Sequence, residues 1–173
     1  VLTSAFLYSG TFAFLSGISF ILIDFLGVKP AYFGAYFLFI VAGYISGNLF
    51  TARIAHRWAS IKLFRLGLSL SLAAGLVLTG ICLMQWYVPV LMVLPVFFMT
   101  FSIGLVLPKA TALALMPFPH MAATASAFMG FAQMAVAGLA GWLVGVFLVD
   151  NPLPMALVLL ATAICTWLSY WFL

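Results

Sequence analysis

The chain has 173 residues, of which 68% are hydrophobic and 5% charged, with six basic residues against two acidic ones and a formal net charge of +4. A water-soluble domain of this length carries about a quarter charged side chains, and so few cannot coat one. Composition therefore excludes a soluble globular protein and makes lipid the solvent for most of the chain.

The first apolar run covers 1–23 and carries Tyr8 and Thr11. It opens on Val1, with no basic region ahead of it and no small-residue cleavage site behind it, so it reads as a membrane span rather than a signal peptide. The expectation is that an N-terminal portion precedes it. Gly27 and Pro30 break the run, and a second span follows at 31–52, holding Tyr36, Tyr44, Asn48 and the pair Gly43 and Gly47. The stretch from Arg53 to Ser60 is charged and carries His56 and Arg57. The third span, 61–85, has Gly67, Ser71, Gly75 and Thr79 at four-residue spacing, and it ends at Trp86 to Pro89.

The fourth span, 88–115, contains Pro95, Pro108 and Lys109. Prolines inside a span are tolerated when neighbouring helices satisfy the freed carbonyls. Pro117, Pro119 and His120 then interrupt the chain, and each proline is expected to push the residue before it out of the helical region. The fifth span, 121–148, starts with a thin end of Ala122, Ala123, Thr124, Ala125 and Ser126, and carries Met129, Gln133, Ala137, Gly141 and Gly145. Asp150 to Pro154 precedes the sixth, 153–173, which closes on Trp167, Tyr170 and Trp171. Each run is long enough to cross the hydrocarbon as a helix. Alternation over ten residues, the mark of a transmembrane strand, does not occur. The small-residue stripes are explained by close helix packing without invoking a site.

Arg53, Arg57, Lys62, Arg65 and Lys109 lie in or near the second and fourth loops, whereas Lys29, Asp24 and Asp150 fall on the opposite side. Basic residues mark the cytoplasmic face, so both ends of the chain are expected there. Lys109 is expected to snorkel to that interface. The two cysteines, Cys82 and Cys165, are isolated, and His56 and His120 have no metal-binding spacing. No Walker loop appears, and "LYSG" and "FLSG" lack the first glycine of an intramembrane serine protease motif. The expectation is a protein that is not an enzyme and needs no metal or cofactor. Gln133 is an embedded amide that must face protein or water. It serves either as glue between helices or as a contact in a cavity. No acidic residue is embedded, so any coupling acid lies outside this sequence.

The segment "GLVLPKATALALMPFPHMAATASAFMGFAQ", 104–133, and the basic loop "GNLFTARIAHRWASIKLFRLG", 47–67, resemble the second half of drug exporters of the major facilitator superfamily, in the bicyclomycin/chloramphenicol resistance (Bcr/CflA) family. Lys109 stands where that family usually has Asn, and Ala123 where Gly is common. The resemblance implies an all-α membrane protein in which residues 1–173 form the C-terminal six-helix half of a twelve-helix fold. The N-terminal half would be the missing partner. It implies a multi-pass protein of the bacterial inner membrane, exporting amphipathic drugs or small metabolites in exchange for protons, with no nucleic-acid partner. Helices one, two, four and five would line the cavity; three and six, with both cysteines, would face lipid. On that reading Tyr8, Thr11, Tyr36, Tyr44, Asn48, Met129 and Gln133 are the substrate-cavity candidates, with Phe12, Phe128 and Met134 in the same wall. Arg53, Arg57, Pro117, Pro119 and His120 are the cytoplasmic conformational candidates. The thin end of the fifth helix is expected to slide past the other half. The competing reading is a self-associating channel or structural subunit, though no charge ring or filter segment is present.

Overall fold

A computed structural model describes residues 2–54, 60–147 and 151–171. Six long helices fill it, and no strand occurs among the described residues. Helix α1 (Leu2–Ser19) continues as a π-helical segment (Phe20–Phe25). It is followed by α2 (Pro30–Ile54), α3 (Ser60–Leu83), α4 (Pro89–Leu115), a single 3-10 turn (Pro119–Met121), α5 (Ala122–Phe147) and α6 (Leu153–Trp171).

The breaks follow from backbone chemistry. Gly27 sits at φ 64°, the left-handed region that glycine reaches without strain, and the N–H groups of Leu26 and Val28 close the wide last turns on Ile21 and Leu22 at 2.9 Å. Pro30 and Pro89 open α2 and α4, where a missing N–H costs nothing. At the end of α3, Gln85 takes φ 57° while the Trp86 N–H reaches back to Ile81 at 3.1 Å. Phe118 leaves the helical region ahead of Pro119, with φ −122° and ψ 51°. Met116 does not do so ahead of Pro117: it stays helical because its N–H still bonds the Ala112 carbonyl at 3.1 Å, and one turn of α4 outweighs the steric preference.

Helix pairing has an internal symmetry. α1 packs chiefly against α5 and α6, α4 against α2 and α3, and α3 against α6, with a smaller α1–α4 contact. Exchanging α1, α2 and α3 for α4, α5 and α6 maps each of these pairings onto another or onto itself. Successive spans alternate in direction, so the two triplets form an inverted repeat. α1 and α4 are the central pair. Over their apolar stretches 50% and 61% of residues are buried, against 17% for α2 and 22% for α5, which lean on the flanks.

Close approach of backbones builds the α2–α4 seam. A Cβ on Gly43 would lie 2.6 Å from the Phe97 carbonyl oxygen, one on Gly104 would lie 2.6 Å from that of Tyr44, and one on Gly47 would overlap the Phe101 carbonyl. Hydroxyls finish the seam. Thr100 Oγ1 donates to the Ile40 carbonyl at 2.9 Å, and Thr51 Oγ1 donates to the Gly104 carbonyl at 3.3 Å. The second bond makes good what Pro108 takes away. Pro108 has no N–H to offer the carbonyl four residues back, which is that of Gly104, and Thr51 supplies the donor instead.

The α3 stripe divides its work. Gly67 meets Val106 and Leu105 of α4, and its carbonyl accepts from Ser102 Oγ at 2.6 Å; Gly75 meets Leu160 of α6. Along α5, Ala137 is buried and a Cβ on Gly141 would lie 3.8 Å from Phe12 and Ser16, but Gly145 is exposed and a Cβ there would meet nothing within 4 Å. Four-residue spacing therefore marks a packing face over the middle of α5 and not at its far end. Cys82 is also not on a lipid face. It is 3% exposed within a core to which all six helices contribute.

Candidate solute-facing surface

The polar candidates sit on α1, α2 and α5, and among the described residues Thr11 and Tyr36 border different spaces. On α1, Tyr8 is half-buried with its ring 5.4 Å from that of Phe12. Thr11 points inward. Its Oγ1 is buried without a hydrogen-bond partner among the described residues and borders a small space of about 10 Å³, together with Thr100 and Thr162. A space of that size holds about one water.

On α2, Tyr36 lines an open groove of about 370 Å³ between α2 and α4, with Tyr32, Phe39 and Val93 among its walls. Thr11 is not among the residues of this groove, so the two candidates border different spaces. Tyr44 is 39% exposed, and its backbone carbonyl accepts from Asn48 Nδ2 at 3.0 Å. Part of the Asn48 amide is thereby used inside its own helix.

On α5, Met129, Gln133, Ala137, Ala140 and Val144 recur at helical spacing, and all of these except half-buried Gln133 are fully buried. A Cβ on Gly141, on the same side, would reach Phe12 and Ser16 of α1, so this stripe is the α1-facing one. Gln133 Nε2 is buried there without a partner among the described residues. Phe128 and Met134, one position from the stripe, are 65% and 51% exposed.

At the basic end, Arg53 is exposed in the last turn of α2, where a cation suits the helix dipole. Arg57 and His56 lie outside the described residues. Pro117, Pro119 and His120 are all exposed, and the thin first turn of α5, Ala122 to Thr124, is exposed as well.

Lys109 departs from the snorkelling expected of it. Its Nζ is buried and has no hydrogen-bond partner among the described residues. Side chains on a helix lean toward its N-terminus. α4 runs toward the basic end, so Lys109 leans back toward the bilayer centre instead of out to the interface. Ser102, Leu105, Val106 and Lys109 form one stripe, and the first three contact α3 around Gly67. The ammonium therefore belongs to the α3 side of α4 and not to a cavity mouth.

The seam residues Thr51, Thr100 and Ser102 escape a search for chemical motifs. The available signal was positional: Thr51 continues the small-residue face of Gly43 and Gly47, and Gly104 precedes Pro108 by one helical turn.

No family model matches the chain. Two curated relatives match 98% of it: an uncharacterized MFS-type transporter of Bacillus subtilis at 28% identity over 169 residues, and a bicyclomycin resistance protein homolog of Haemophilus influenzae at 27% over 172. The chain spans 42% of the length of each. With these relatives matched along nearly the whole chain and six apolar helices in an inverted repeat, the chain has the fold of the C-terminal six-helix half of a major facilitator superfamily transporter, and it is similar in sequence to a bicyclomycin resistance protein homolog.

Proposed function

We propose that this chain forms one of two lobes around a solute path, in a proton-coupled exporter of amphipathic drugs or small metabolites working by alternating access. The observation that carries the reading is the open flank of the bundle. α2 and α5 each lean chiefly on one central helix, and much of their remaining surface, including Tyr44, Phe128 and Met134, is uncovered. A second lobe facing α2 and α5 would enclose that surface. The bicyclomycin resistance relative, more than twice as long as this chain, supports a drug among the solutes. Tyr8, Tyr44, Asn48 and Gln133 supply hydroxyl and amide contacts, and Met129 and Met134 supply polarisable side chains that adapt to differently shaped ligands. The coupling carboxylate belongs to the other lobe. In this scheme the protein lies in the bacterial inner membrane with its basic end, and both ends of the chain, in the cytoplasm.

The test is accumulation of a drug panel in cells expressing the complete polypeptide, with and without an uncoupler. Lower accumulation of at least one amphipathic drug, abolished by the uncoupler, supports the reading. Flux that merely follows the drug's own gradient, indifferent to the uncoupler, supports the channel instead.

A further inference from the structure

The charges of the chain are segregated. Arg53, Arg57, Lys62, Arg65 and Lys109 all belong to one end of the bundle by sequence, while Lys29, Asp24 and Asp150 belong to the other. Among the basic residues of that end, Arg65 on α3 is held by a built arrangement. Its Nε donates to the Tyr170 hydroxyl of α6 at 2.9 Å, and its guanidinium carbon lies 5.9 Å from the centre of the same ring. Tyr170 is fixed in turn by Phe64, with ring centres 5.6 Å apart, and by Trp167 at 6.0 Å in an edge-on contact. The bond to Tyr170 uses Nε and leaves the two terminal NH₂ groups of the guanidinium free to act as a fork. Arg65 is exposed, as is Lys62 one turn earlier on the same helix face. Asp24, the one described acid, is at the far end of the bundle and cannot neutralise either.

We propose that the α3–α6 seam at this end is a binding site for the phosphodiester of an anionic phospholipid. A guanidinium fork matches two phosphate oxygens in a bidentate pair. The site lies where a helix bundle with a cationic end meets lipid headgroups, and basic groups at that depth attract anionic lipids. A zwitterionic lipid offers the same phosphate but adds an ammonium that a surface of one charge sign repels. Leu168 and Trp171, both exposed on α6 beside the aromatic cluster, supply apolar surface for the lipid's glycerol and upper chain. The site is built on α3 and α6 and uses none of the exposed residues of α2 and α5, so it does not depend on the transport reading.

The experiment is native mass spectrometry of the complete polypeptide in mild detergent, incubated with phosphatidylglycerol or with phosphatidylcholine of equal chain length. The expected result is preferential retention of phosphatidylglycerol. Loss of one charged hydrogen-bonding group should cut that preference about tenfold in Arg65→Gln. Tyr170→Phe, which frees the guanidinium from its guide while keeping the ring, should reduce it less. Lys29→Gln, at the opposite end, should leave it intact, and millimolar inorganic phosphate should not displace the lipid. Equal retention of both lipids overturns the proposal. So does an unchanged preference in Arg65→Gln protein that melts like wild type, an equal loss in Lys29→Gln, or displacement by free phosphate.

Discussion

Thr51 on α2 donates its hydroxyl hydrogen to the carbonyl of Gly104 on α4, at 3.3 Å, where Pro108 has removed the N–H that an unbroken helix would provide. Inside a bilayer such a carbonyl finds no water, so the bond completes the backbone satisfaction that the membrane requires. Thr51→Val keeps the shape and removes the donor. It should lower stability in detergent by about 1 kcal/mol, seen as an earlier melting transition, while Thr51→Ser should melt near wild type.

The same seam sets a steric prediction. Any side chain at Gly47 must enter the space of the Phe101 carbonyl, and backbone cannot move aside as a side-chain tip can. Gly47→Leu should separate α2 from α4 and cost at least about 1–3 kcal/mol, with reduced yield of folded protein. Gly145→Leu, at an open position of α5, is the control and should fold normally.

Lys109 gives a prediction of opposite sign. An ammonium buried without a partner is destabilising, and replacing it by an apolar side chain of similar length removes that cost. Lys109→Met should raise the melting temperature of the protein in detergent. A fall in melting temperature would mean that the charge has a partner whose loss is felt.

Much of this was legible in the sequence, for physical reasons. Apolar runs of about 20 residues can only be satisfied as helices in lipid, and the breaks at Gly27, Pro30, Pro89 and Pro119 are local chemistry that needs no tertiary knowledge. Direction and partner were harder to see. Thr51 and Gly104 are 53 residues apart, and nothing local links them. The spacing that placed Gly67 and Gly75 against neighbouring helices also suggested Gly145, which faces open space, because periodicity gives a face and not the length over which a partner covers it. Lys109 looked like an interfacial cation until the direction of α4 fixed which way its side chain leans. Thr11 and Tyr36 share polarity but border separate spaces, a distinction that needs the bundle in three dimensions.

Gln133 separates glue from contact. Its amide nitrogen is buried on the α1-facing stripe without a partner among the described residues. If it orients solute, Gln133→Leu should depress export several-fold while leaving the melting temperature equal or higher, because no intrachain hydrogen bond is lost. Loss of stability in step with activity would assign it to helix packing.

The thin start of α5 bears on conformational change. Ala123 is exposed, with Ala122 and Thr124 beside it. As a sliding contact with a second lobe, this surface should not accept bulk. Ala123→Leu should slow export while expression stays normal, measured as drug accumulation per amount of protein in the membrane. Export at the normal rate would remove the sliding contact from the scheme.

The most direct measurement is solute movement in proteoliposomes holding the complete purified polypeptide, with a pH gradient imposed across the membrane. A labelled amphipathic drug should be driven against its own concentration gradient while protons flow the other way, and the drug gradient should collapse when the pH difference is dissipated. Movement that only equalises the drug across the bilayer, with or without the pH difference, would contradict proton-coupled export.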